Sequence, residues 1–109
     1  MHTLEVIVNL AVEAERGPEV TESRLLQICK YIFSLGPAWN PARGLVVVRT
    51  ARPIQEVSEH VSKMLVEGEF SFVLKLDPSA EALYAGWLVE PDELAELFPN
   101  ALETRANKP

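Results

Sequence analysis

Residues 36–44, GPAWNPARG, separate a helix-like run from a strand-like run and hold two glycines, two prolines and a tryptophan. How the stretch is read decides the fold, because it is either a stiff connector or a binding loop. Pro37 and Pro41 each fix a φ angle and restrict the residue before them, so Trp39 is held between two rigid points. Such a loop loses little entropy on docking, and aromatic and arginine side chains dominate interface hot spots. Trp39 and Arg43 are therefore candidate partner-binding residues. The competing reading folds Trp39 back as a lid on the core, where its large apolar surface gains from burial.

Upstream, Leu25, Ile28, Cys29, Ile32, Phe33 and Leu35 recur at helical spacing. They predict a helix over 22–35, with Thr21 as N-cap and Gly36–Pro37 as its stop signal. Before it, Leu4, Val6, Val8, Leu10 and Val12 share one face of a long first strand, broken by Gly17–Pro18. Downstream, GLVVVRTAR (44–52) opens as the continuous apolar run of a strand covered on both faces. Pro53 then suits the first turn of a helix, whose apolar stripe is Ile54, Val57, Val61, Met64 and Leu65. Its polar face carries Glu56–His60 and Glu59–Lys63 at i,i+4 spacing.

EFSFVLKLD (69–77) alternates cleanly, with Phe70, Phe72, Leu74 and Leu76 on one face and Ser71, Val73 and Lys75 on the other. ALYAGWLVE (82–90) alternates again through Leu83, Ala85, Trp87 and Val89, although Ala80 to Tyr84 also reads as helix. The strand reading makes a hairpin of 69–76 with 83–89. PDELAELF starts with proline, places Asp92 and Glu93 in the first turn, and sets Leu94, Leu97 and Phe98 on one stripe, which predicts a short helix.

The expected fold is α+β: a two-layer sandwich in which two amphipathic helices cover a mixed four-stranded sheet, in the order β-α-β-α-β-β-α. Residues 4–52 and 44–76 would each form a crossover, with the last helix at the sheet edge. A split βαβ arrangement is a near alternative from which this element order departs. The 109 residues make a single domain over 1–100, followed by a polar tail at 101–109.

Composition narrows the function classes. The lone Cys29 excludes an internal disulfide and fits a reducing, cytoplasmic setting; on an apolar stripe it reads as a core residue. No apolar run approaches membrane-span length, and no secretory leader pattern opens the chain. The net charge of −6 argues against broad nucleic-acid or anionic-membrane binding. The charge is uneven, however. Residues 23–55 contain no acid but include Arg24, Lys30, Arg43, Arg49 and Arg52, whereas residues 54–109 carry eleven acids against four bases.

No phosphate-binding glycine motif is present. One cysteine and two histidines offer too few ligands for a zinc site, and no nucleophile–base pair is identifiable around His60. Neither a catalytic residue, a metal site nor a cofactor is therefore assigned. The expected function is that of a small non-catalytic protein-interaction domain: a regulator, inhibitor or assembly component. Its candidate binding residues are Trp39, Arg43, Arg49 and Arg52. Its expected partner is a protein, basic in character because of the acidic C-terminal half. Self-association into a homodimer through an open sheet edge is a further expectation. The alternatives are nucleic-acid or anionic-ligand binding through the basic segment 24–52, and a small enzyme without a recognisable motif.

Overall fold

The structure is a computed structural model that describes residues 1–11, 17–85 and 89–103. Its elements are β1 (His2–Asn9), α1 (Pro18–Phe33), β2 (Ala38–Ala42), β3 (Leu45–Thr50), α2 (Ile54–Ser62), β4 (Phe70–Leu76), β5 (Ala82–Tyr84), α3 (Pro91–Leu97) and β6 (Ala101–Glu103). The first four strands form a sheet ordered β2-β3-β1-β4, in which every neighbouring pair is antiparallel. Because β1 lies between β3 and β4, and β3 lies between β1 and β2, α1 and α2 each link two strands that are not neighbours. The β-α-β-β-α-β order with this strand arrangement is the split βαβ pattern.

The expected two-helix, mixed-sheet sandwich is thus corrected to an antiparallel sheet with three helices and a second, two-stranded parallel sheet. The decisive stretch is 36–44, which contains a strand. β2 forms a hairpin with β3 through a two-residue turn at 43 and 44, where Gly44 takes φ 78°. Pro41 is tolerated because β2 is an edge strand. The register shifts between Trp39 and Ala42, the irregularity expected of a bulged edge. Asn40 steadies the bend by donating its Nδ2 to the carbonyls of Ala42 and Leu45, at 2.8 and 2.6 Å.

Helix α1 starts earlier than the apolar stripe suggests, at Pro18 after a positive-φ Gly17. Thr21 is therefore not its N-cap. It lies buried within the helix, and its hydroxyl donates to the Ala11 carbonyl at 3.3 Å. The main core fills one face of the sheet. Leu4, Val6 and Val8 of β1, Ala38 of β2 and Val46 and Val48 of β3 pack there against Leu25, Ile28 and Ile32 of α1 and Val57 and Val61 of α2.

The expected hairpin of 69–76 with 83–89 does not form. β4 pairs with β1 instead, from Thr3↔Leu76 to Asn9↔Phe70. β5 pairs in parallel with β6, from Ala82↔Ala101 to Tyr84↔Glu103, with α3 in the crossover between them. Strand β6 therefore occupies the start of the segment read as a tail. Trp87, assigned to a strand from its spacing, lies outside the described residues, as do residues 12–16 and 104–109.

Helix α3 does not sit at the sheet edge. It packs against β2 and β3 on the face opposite α1 and α2. There Leu94 and Leu97 are buried, as is Val47, whose neighbours Val46 and Val48 point the other way into the main core. No helix among the described residues is long and apolar enough to cross a membrane.

Candidate functional site

The outer sheet face is the one turned away from α1 and α2, and strand alternation sets its membership. In β1 it carries Thr3, Glu5, Ile7 and Asn9; in β4, through the pairing register, Leu76, Leu74, Phe72 and Phe70. In β3 it carries Leu45, Val47 and Arg49, and in β2 Trp39, which stands opposite Val47.

The two halves of this face differ. Over β2 and β3, α3 closes it: Leu97 is 1% exposed and Val47 4%. Around the Ile7–Phe70 end of β1 and β4 it stays open: Phe70 is 51% exposed and Phe72 54%, and Ile7, Leu74 and Leu76 are partly exposed beside them, whereas Thr3 at the other end is buried. Two phenylalanines exposed on one strand face form the apolar patch that marks docking surfaces. β4 also ends the sheet, so one side of its backbone has no strand partner among the described residues.

The sequence-derived candidates fall in three places. Trp39 and Arg49 share the outer face, and both tie the C-terminal segment to the sheet. The Trp39 indole Nε1 donates to the Val89 carbonyl at 2.6 Å. Arg49 donates to the Glu96 carbonyl at 3.4 Å and pairs with the Glu96 carboxylate at 3.6 Å. Trp39 is half-buried in this arrangement. Arg43, at the β2–β3 turn, pairs with Glu22 of α1. Arg52, just before α2, pairs with Glu56 at 3.3 Å. Each of these guanidinium groups thus meets a carboxylate. These three arginines of the acid-free stretch 23–55 find their acids outside it, in Glu22, Glu56 and Glu96. The pairs are mostly exposed, so each adds little stability. What they define is where the candidate arginines point, and the four candidates do not converge on one concavity.

The fourth pairing is different in kind. Arg24 of α1 meets Glu69, at the entry to β4, through both carboxylate oxygens. The Glu69 side chain is wholly shielded and that of Arg24 is 16% exposed. Glu69 also accepts the backbone N–H groups of Ala11 and Val66, each at 2.9 Å, and Arg24 reaches the Met64 carbonyl at 3.3 Å. One carboxylate thereby joins the exit of β1, the body of α1, the exit of α2 and the start of β4. The Arg24 hydrogen bond is the main reason its pKa falls to about 2, with the two backbone donors adding to it against the opposing effect of burial.

Elsewhere the titratable groups are structural in setting. Tyr31 of α1 stacks on His60 of α2, with ring centroids 3.6 Å apart and planes 6° from parallel. Burial raises the Tyr31 pKa, reinforced by Glu56 and opposed by Arg52. Asp77 has its pKa lowered by the Ser79 hydroxyl and N–H, which close the turn after β4. Cys29 is half-buried against the main core, and burial raises its thiol pKa, which disfavours the nucleophilic thiolate. It lines a cleft of about 300 Å³ between α1 and the β2–β3 turn, together with Glu22, Leu26 and Arg43. Among the described residues, no group of three or more His, Cys, Asp or Glu side chains is placed to hold a metal ion.

Sequence reasoning did not single out Phe70 and Phe72. Their alternation was legible, but strand periodicity does not say which face the helices take. The usable signal was the asymmetry of the strand: the face opposite Phe70 and Phe72 carries only Ser71, Val73 and Lys75, and Val73 alone of these packs on the main core.

The chain is thus an α+β domain of split βαβ topology with a β-α-β unit appended on its outer face. No family model matches it, and neither does any curated protein or solved structure.

Proposed function

We propose that this chain is a non-catalytic protein-interaction domain whose docking surface is the open half of the outer sheet face, built from Ile7, Phe70, Phe72, Leu74 and Leu76. The observation that carries the reading is the contrast across one face. α3 buries the β2–β3 half, while Phe70 and Phe72 on the β4 half stand 51% and 54% exposed. Half-exposed phenylalanines on a rigid strand are preorganised anchors that lose little entropy on docking. Trp39 and Arg49 then support the surface indirectly by holding the C-terminal segment on the neighbouring half. Glu5 lies half-buried on the same face, and Glu90 and Asp92 stand exposed at the start of α3. This distribution favours a partner with an apolar centre and a basic rim. A reducing compartment such as the cytoplasm suits the single thiol.

The test is capture from native extract at moderate salt, comparing the wild-type chain with Phe72→Glu and Arg52→Ala. A stoichiometric protein retained by wild type and Arg52→Ala but lost with Phe72→Glu is the expected result. The same protein retained by Phe72→Glu, or nucleic acid in its place, overturns the reading.

A further inference from the structure

We infer that β4 is a self-recognition strand, along which a second copy of this chain adds antiparallel about a two-fold axis at Val73 and extends the sheet across both molecules. This rests on the reading of the chain as an interaction domain, and it names the occupant of the open edge.

β4 is seven residues long, about 24 Å at the usual strand rise, and among the described residues its side away from β1 has no strand partner. A two-fold axis at Val73 sets Phe70 opposite Leu76 of the other copy, Ser71 opposite Lys75, Phe72 opposite Leu74, and Val73 opposite itself. Both outer-face pairings join an aromatic to an aliphatic side chain, a favourable cross-strand combination. Lys75, the one charged residue of the strand, faces a serine hydroxyl and never its own symmetry mate. The interface is isologous and closes on itself, so it ends at a dimer rather than a fibre.

Charge favours this edge for the meeting of two like molecules. Each copy carries net −6, and residues 54–109 hold eleven acids, yet residues 70–76 contain none. Two acidic copies approaching through β4 bring no carboxylate of the strand against another. The flanking acids do meet in this register, each Glu69 standing opposite Asp77 of the other copy, but Glu69 is already held by Arg24 and Asp77 accepts from the N–H and hydroxyl of Ser79. The short contact belongs with small interfaces, below about 1,200 Å² in total, which are weak. Association at micromolar rather than nanomolar concentration follows.

Sedimentation equilibrium of the full chain from about 1 to 500 μM, a range set by that weak class, reads the proposal directly. The wild type is expected to pass from the 12.1 kDa monomer to twice that mass. The register is read with Phe72→Glu, Leu74→Lys and the two combined. Each single change sets a charge against an apolar partner across the axis, and is expected to weaken the dimer at least tenfold. The double variant sets the introduced carboxylate of each copy against the introduced ammonium of the other, twice over, and is expected to recover most of that loss. Circular dichroism and urea midpoints establish that all three variants fold. A wild type that stays monomeric at 500 μM overturns the inference. So does a dimer indifferent to either single change, or a folded double variant that remains monomeric. A monomeric wild type that still captures a partner through Phe72 removes the second copy as occupant and leaves the interaction reading standing.

Discussion

Replacing Glu69 with Gln perturbs the joint at which four parts of the chain meet. The substitution keeps the side-chain shape but removes the negative charge from Arg24. Because the backbone N–H groups of Ala11 and Val66 donate to different carboxylate oxygens, it also brings an amide NH₂ toward one of the two, which then lacks its acceptor. The folded carboxyl is held down to about 2 against an ordinary 4.5, a gap worth at most about 3 kcal/mol at about 1.36 kcal/mol per unit. Solvent reaching the Arg24 side of the pair reduces this, to about 2 kcal/mol.

The sign follows from linkage. A carboxyl with a depressed folded pKa contributes its full stability above the unfolded value, and loses it as pH falls from about 5 toward the folded value near 2. Urea unfolding of wild type and Glu69→Gln at pH 7, 5 and 3 reads this directly, because every other titrating group is common to both chains. The expected deficit of the variant is about 2 kcal/mol at pH 7 and close to that at pH 5, and it shrinks markedly by pH 3. A deficit below about 0.5 kcal/mol at pH 7, or one that does not change with pH, would mean that the Glu69 carboxylate does not stabilise this joint.

Changes at three further positions probe the packing. Trp39→Phe, which keeps an aromatic ring but loses the N–H bond to the Val89 carbonyl, should cost about 1 kcal/mol, and Trp39→Ala about 2 to 3 kcal/mol. Unchanged urea midpoints combined with lost partner capture would instead make Trp39 a contact residue. Gly36→Ala should cost on the order of 3 kcal/mol or prevent folding, because its Cβ would stand 2.0 Å from the Arg49 carbonyl oxygen; a wild-type melting temperature would contradict that close approach. Leu97→Ala, at a site 1% exposed beneath α3, should cost about 2 to 4 kcal/mol by urea unfolding, and a loss under about 1 kcal/mol would mean that α3 is not seated on the sheet.

Much of the inner layer was legible in the sequence. The alternation of Leu4, Val6, Val8 and Leu10 and the helical stripe of Leu25, Ile28 and Ile32 report burial directly, because each face meets one environment. The segment 36–44 hid β2, since its prolines and glycines carry the local signal of a loop. Its strand character comes from pairing with Leu45, Val47 and Val48, well beyond the reach of local propensity. The partner of β4 was hidden for a related reason. A turn at residues 77–80 is compatible with a hairpin, but β1 offers a seven-residue ladder where β5 offers only three residues. The candidate site was legible only as the alternation of Phe70 and Phe72, not as their exposure. Trp39 and Arg49, read from the sequence as partner-binding, hold the chain's own C-terminal unit. Which strand face is left bare depends on where α3 packs, and no local pattern encodes that.

The division of the outer face between a covered half and an open half is tested most directly by hydroxyl-radical footprinting with mass-spectrometric readout. The protein is held at a concentration where it sediments as the 12.1 kDa monomer. Rapid oxidation of Phe70 and Phe72 is expected, near the rate in the urea-unfolded chain, with Leu94 and Leu97 strongly protected. Phenylalanines as protected as Leu97, or a freely oxidised Leu97, would contradict that division.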